Sequence, residues 1–298
     1  MRAALLLLAF LGAAAPARAC VPAERARVEV AMAEGLIAVP ARIDGAAAAL
    51  ALDTGAQRSV LATAAASRLG VALDEWVATT LRGVGGVERR RNAVPRDFAI
   101  GGLEPRRATM ARDRSFAVSA IDLPAGVDGL LGRDFLAAFD LDLDLRAGTL
   151  AFLSTPPCPA GFRPPGAWRA LPVSNPADSA LVARVELDGT PLRALLDTGA
   201  TATLLGAPGI ARMGLTEAAL SADAPAASHG IGPQAVAGWR HRFRSLVIGP
   251  FVWTAPTLTV AHVRFAPTSE MLLGADWLAG RRVWISFPAR AVFIAEPR

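Results

Sequence analysis

The chain has 298 residues, 53% hydrophobic and 19% charged, which excludes a disordered polymer and allows one large domain or two of ordinary size. The formal charge is +5, and every one of the 31 basic residues is arginine. These are dispersed, apart from Glu88-Arg89-Arg90-Arg91, which reads as a solvated loop, so no nucleic-acid surface of clustered cations and aromatics is expected.

In chain order, Arg2 is followed by an apolar run from Ala3 to Ala15 and by Ala17-Arg18-Ala19. That layout is a secretory signal peptide over residues 1–19, too short to span a bilayer, which takes about 20 apolar residues. No later stretch of that length lacks charge, so export to a periplasmic or extracellular space without a membrane anchor is expected. Cleavage would leave Cys20 first. Cys158 is the other cysteine, so a Cys20–Cys158 disulfide is expected, with lipidation of Cys20 or two free thiols as the alternatives.

From residue 28 onward the sequence repeats itself. Apolar strands are predicted over residues 28–43 and 181–187, each closing on an Asp-Gly turn (Asp44-Gly45, Asp188-Gly189). The next strands, over 50–52 and 192–196, run into Asp53-Thr54-Gly55-Ala56 and Asp197-Thr198-Gly199-Ala200. A helix over 62–69 should stop at Gly70; its counterpart keeps Gly214 but looks interrupted by Pro208-Gly209.

Spaced glycines follow in each half: Gly83, Gly85 and Gly86, then Gly230 and Gly232. Short strands are expected over 96–100 and 108–110, and over 243–248 and 257–260. Leu130-Leu131-Gly132-Arg133-Asp134 and Leu272-Leu273-Gly274-Ala275-Asp276 then open brief helices, and strands over 141–152 and 283–294 close the halves. The alternation in Leu141-Asp142-Leu143-Asp144 predicts a half-buried strand. Five prolines between 154 and 166 mark a linker. The organisation expected is therefore 1–19 leader, 20–153 first lobe, 154–170 linker and 171–298 second lobe.

Two duplicated aspartates on tight turns suggest chemistry. Carboxyls held close enough to share one proton cannot both ionise, so one is an acid while the other is a base. Such a pair can activate a water against a carbonyl and protonate the departing nitrogen. Gly55 and Gly199 would let backbone approach the carboxyls, and Thr54 and Thr198 could bond across the join.

The twice-repeated Asp-Thr-Gly-Ala with its later hydrophobic-hydrophobic-Gly phrase resembles the retropepsin-like aspartic peptidases, over nearly all of residues 20–298. The resemblance implies an all-β, bilobal acid-protease fold in which Asp53 and Asp197 meet in one cleft, a polypeptide substrate, and glycine loops serving as flaps. A single chain holding both halves implies a monomer. Ala56 and Ala200 stand where pepsin-like relatives carry hydroxyls, which predicts less acidic carboxyls and activity at mildly acidic to neutral pH. Arg133 fits the family phrase and Ala275 does not; the flap tyrosine of pepsin-like enzymes has no counterpart.

The remaining residue types point to little else. Asp134 and Asp276 are expected to satisfy helix N-termini. His229, His241 and His262 lack metal-ligand spacing, so neither a metal nor another cofactor is expected. The tryptophans, Trp76 among them, are read as packing residues, with Trp239 singled out for substrate contact. The competing reading is a non-catalytic peptide-binding scaffold that kept the fold.

Overall fold

The computed structural model describes residues 20–103, 115–156, 158, 162–174, 180–232, 234–265 and 269–296. The leader at 1–19, the strand expected at 108–110 and part of the proline-rich stretch, Pro157 and Pro159 included, lie outside the described residues.

The fold is all-β and two-lobed, with a few short helices. Each lobe begins with a hairpin: Leu36–Ile43 with Ala46–Leu52, and Val182–Leu187 with Thr190–Leu196. Both turn on an Asp-Gly pair with positive φ at both residues (51° and 78°; 50° and 82°), the geometry that matches strand twist. In each lobe a short apolar strand then threads into the middle of the sheet. Gly129–Leu131 runs parallel to Ala46–Leu52 and antiparallel to Val60–Ala62. Met271–Leu273 does the same between Thr190–Leu196 and Leu204–Leu205. Leu50, Ala51, Leu52 and Leu131 are fully buried, so strand ends that carry chemistry are fixed on all sides.

The halves are joined by a six-stranded sheet to which both contribute. Its order is Ala23–Glu29, Thr149–Ser154, Asp140–Asp144, Arg282–Ser286, Ala291–Ala295, Trp168–Leu171. The central pair crosses between halves, from Asp140 opposite Ser286 to Asp144 opposite Arg282. Here the pattern misled. Asp140 and Asp142 are buried in a strand covered on both faces. Asp142 is tolerated because Arg282 from the other half grips it bidentately at 2.6 and 2.8 Å. Asp140 accepts from the Thr155 hydroxyl, and burial still pushes its carboxyl above the ordinary aspartate range.

Other boundaries also shifted. The run at 28–43 is broken by a left-handed turn at Glu34-Gly35, and the run at 141–152 by a turn before Thr149. Pro208 does not interrupt its helix. It lies in the first turn of Ala207–Met213, where a missing N–H costs nothing, and Gly214 ends the helix in the left-handed region (φ 67°). The run Glu88-Arg89-Arg90-Arg91 is strand rather than loop.

The expected linker is pinned in place. Phe162 is buried against Trp284 and Phe293, and Cys158 is bonded to Cys20 across 138 residues of sequence. A bridge closing so long a loop restricts the unfolded chain strongly. The paired Cys20→Ser, Cys158→Ser variant is expected to lose about 2–5 kcal/mol of stability. An unchanged denaturant midpoint would refute that contribution.

Candidate active site

Each sequence-predicted aspartate sits where its buried strand ends. The Asp53 N–H donates to the Leu131 carbonyl at 3.0 Å, and the Asp197 N–H donates to that of Leu273 at 3.0 Å. The threading strand thereby fixes both turns from behind. In front, the Asp53 Oδ1 accepts from the N–H groups of Gly55 (2.9 Å) and Ala56 (2.7 Å), and the Asp197 Oδ1 from those of Gly199 (3.0 Å) and Ala200 (3.2 Å).

The two turns interlock. The Thr54 hydroxyl donates to the Leu196 carbonyl (2.7 Å) and accepts from the Thr198 N–H (3.1 Å). Thr198 returns both bonds, to Leu52 (2.7 Å) and from Thr54 (3.0 Å). All four are buried. Thr54→Val keeps the shape but leaves a carbonyl and an N–H without partners, so a loss of about 2–4 kcal/mol is expected by chemical denaturation. A neutral effect would show that the bonds are replaced elsewhere.

This clasp presses the carboxyls together. A Cβ on Gly55 would lie 2.4 Å from the Asp197 Cγ, and one on Gly199 would lie 2.4 Å from the Asp53 Cγ. Only glycine fits at either place. Asp53 and Asp197 face each other closely enough that each shifts the other, so the pair can share one proton. Burial pushes both carboxyls above the ordinary aspartate range. Asp197 is raised further because the charge on Asp53 faces it.

Asp53 is helped in the other direction by its two N–H donors, by the bond from Asp197 and by Arg133. The Arg133 guanidinium is buried and donates to the carbonyls of Thr54 (2.9 Å) and Gly55 (2.7 Å). In the second half that place belongs to Ala275. The two carboxyls therefore read as one coupled pair, with Asp197 the more strongly raised member.

Asp134 and Asp276 lie in the first turns of the helices Arg133–Leu136 and Ala275–Leu278, but neither helix has a side-chain cap. Asp276 does take a free N–H of its helix, that of Trp277 at 2.8 Å, but both carboxylates also reach a loop. Asp134 takes the N–H (2.8 Å) and hydroxyl (2.7 Å) of Ser59, and Asp276 those of Thr203 (2.8 and 2.7 Å). They hold the loop that follows each catalytic-type turn against the helix.

The sequence profile of the aspartyl protease family matches residues 39–135 and 183–277, together well over half of the chain. The chain belongs to the aspartyl protease family. No curated protein matches it significantly. Among solved structures it is similar to the aspartic proteinase from Irpex lacteus, at 12% identity, covering 90% of this chain and 96% of that one with a TM-score of 0.54. At that identity the likeness establishes the fold alone.

In this aspartyl protease-family chain the glycine loops are hairpin tips that meet. Ala72–Gly83 pairs with Gly86–Val94, and Ala224–Ser228 with Val236–Arg242. The Gly85 N–H donates to the Ile231 carbonyl (2.9 Å), and the Gln234 N–H donates to that of Gly85 (3.2 Å). Cβ atoms at Gly83, Gly85 and Gly232 would collide with the opposing tip at 2.7, 2.6 and 2.2 Å, while one at Gly230 would just touch Val84 at 3.4 Å. Gly86 turns the first hairpin.

Sequence reasoning missed the side chains between these glycines. Val84 packs against the apolar cluster of the second lobe (Leu195, Leu204 and Leu272 among others), and Ile231 against that of the first (Leu36, Val60 and Leu130). Each tip reaches into the opposite lobe. The signal was available: both glycine loops carry one aliphatic residue at equivalent spacing. Glu88 was missed too; it accepts from the Ser119 hydroxyl and the Ala120 N–H, tying the first hairpin to its lobe.

Trp239, expected at the substrate, is partly buried. Its ring packs on the main core, edge-on to His262 at 5.9 Å. Trp76 is not a packing residue; it is 89% exposed. Among the described residues no cluster of His, Cys, Asp or Glu is arranged to hold a metal. His241 is committed to Asp223 at 2.6 Å.

Proposed function

We propose that the chain is an exported, monomeric aspartic endopeptidase that hydrolyses peptide bonds with water activated between Asp53 and Asp197. The observation that carries this reading is the clasped pair of buried carboxyls, one from each lobe, together with two hairpin tips that meet across the lobes. Ionised Asp53 takes a proton from the water as its oxygen attacks the peptide carbonyl, while Asp197 donates its proton to the carbonyl oxygen. Breakdown of the tetrahedral species returns the proton from Asp53 to the departing nitrogen and the hydroxyl proton to Asp197, so the pair ends as it began. Membership of the family supports a polypeptide substrate.

Two raised carboxyls also support a pH range above strong acid. Rate falls at low pH when Asp53 gains a proton and at high pH when Asp197 loses one. The upward displacement of Asp197 moves the second limb towards neutrality. Export is supported by the Cys20–Cys158 bond, which persists in oxidising compartments, and no helix among the described residues is long and apolar enough to cross a membrane. A scaffold reading has less support, because two enclosed carboxyls are costly to keep without use.

The test is incubation of the purified chain, without residues 1–19, with a denatured protein and a peptide library. New termini identified by mass spectrometry, and their suppression by a statine-type peptide, are expected. A folded chain that cleaves nothing between mildly acidic and neutral pH would overturn the proposal.

A further inference from the structure

Seven large hydrophobic residues are exposed among the described residues, and four of them, Leu73, Trp76, Val77 and Val87, lie on the single hairpin Ala72–Val94. Trp76 is the extreme case at 89% exposure. A tryptophan is rarely left so open without a use.

Its exposure is built in. The Asp74 Oδ1 accepts from the N–H groups of Trp76 (2.7 Å) and Val77 (2.8 Å), forming a turn within the strand. The register shifts between Leu73 and Ala78, so residues 74–77 stand off the ladder.

Beyond the bulge the ladder has two distinct faces. Leu81 is buried and its cross-strand partner Glu88 bonds to Ser119, which turns that face towards the lobe. The pairs Ala78–Arg91, Thr80–Arg89 and Arg82–Val87 occupy the opposite, outward face. Arg82, Arg89 and Arg91 have no carboxylate within ion-pair distance among the described residues, whereas Arg90 is paired with Glu88 at 3.0 Å. Asp74 and Glu75 are the acids at the bulge; Asp74 is committed to its turn and feels the charge of Arg91. The outward face is thus net positive, with Val87 towards the tip and the bulge that exposes Trp76 at the far end.

We propose that this face docks the protein onto an anionic lipid surface. Indole rings settle at the headgroup level, and guanidinium groups pair with lipid phosphates in forked geometry. Neither contact needs a shaped partner, and this face is a two-stranded ladder beside one highly exposed ring. A single aromatic offers no stacking track for a nucleic acid. Docking would hold the hairpin, and with it the first lobe, at the membrane. The inference is independent of the peptidase reading, since binding is measured without any substrate.

The test is co-sedimentation of the full chain, lacking residues 1–19, with phosphatidylglycerol-containing vesicles and with pure phosphatidylcholine vesicles at low salt. Binding to the first and not the second, weakening as salt rises, is expected. Replacing Arg82, Arg89 and Arg91 together by Gln should weaken it on the order of a hundred-fold. Trp76→Ala should weaken it about ten-fold. Quenching of tryptophan emission by brominated lipid should largely vanish in Trp76→Phe, a change that keeps the hairpin's packing. Absence of binding, equal binding to both vesicles, or binding unmoved by these changes overturns the proposal. So does equal, equally sensitive binding of soluble polyglutamate, which would assign the face to acidic polypeptides.

Discussion

Asp53→Asn and Asp197→Asn are each expected to lower kcat by about 100- to 10,000-fold, the range attributable to one positioned acid or base. KM should change little, because neither change alters the apolar clusters under the hairpin tips. Equal activity in either variant would remove that aspartate from the chemistry. Stability provides a second readout with a definite sign. The carboxyl of Asp197 is raised well above its value in an unfolded chain. The stability associated with its protonated form is full below the unfolded value and is lost as pH rises towards the folded one. Asparagine does not titrate, so Asp197→Asn should melt at a higher temperature than the parent near neutral pH, with the gap closing in acid. A gap independent of pH would mean that Asp197 is not the proton-bearing member.

Arg133→Met is the second large effect. It takes a buried cation from the carbonyls of Thr54 and Gly55, both on the turn that presents Asp53. Charged hydrogen bonds are worth about 1.5–3 kcal/mol each, so a loss of about 3 kcal/mol or more is expected. The more telling result is the pH profile of kcat/KM. Without the nearby positive charge, Asp53 is held down less firmly, and the acid limb should move to higher pH. Arg133→Lys keeps the charge and should restore the limb while recovering only part of the stability. If Arg133 served packing alone, both variants would lose amplitude with the limb unmoved. Ala275 in the matching place means that only one of the two aspartates receives this help.

Much of this was legible in the sequence, for physical reasons that can be named. Asp-Thr-Gly after a buried run is a local signal, since the turn needs its glycine and the strand its leucines. Its recurrence with Leu-Leu-Gly at nearly constant spacing indicated two like lobes and one shared site. What local patterns could not convey was contact made at a distance. Asp142 looked half-exposed by alternation and is buried, because its partner Arg282 comes from the other half. Trp76 looked like core because large aromatics usually are, and the bulge set by Asp74 was invisible without the register. Pro208 looked like a break because a proline's effect depends on whether it falls in the first turn, a matter of one or two residues. The meeting of Gly85 with Ile231 joins loops whose separation in sequence carries no pairing signal.

The central sheet has a consequence for dose. Each half ends in strands that pair with strands of the other, from Asp140 opposite Ser286 to Asp144 opposite Arg282. Where two separate chains must meet to complete such a site, dilution pulls the pair apart and the fraction of competent molecules falls. Here the second half is tethered, and its effective concentration is set by the length of chain between the lobes. If the chain acts as the proposed monomer, competence per molecule does not depend on how many molecules are present.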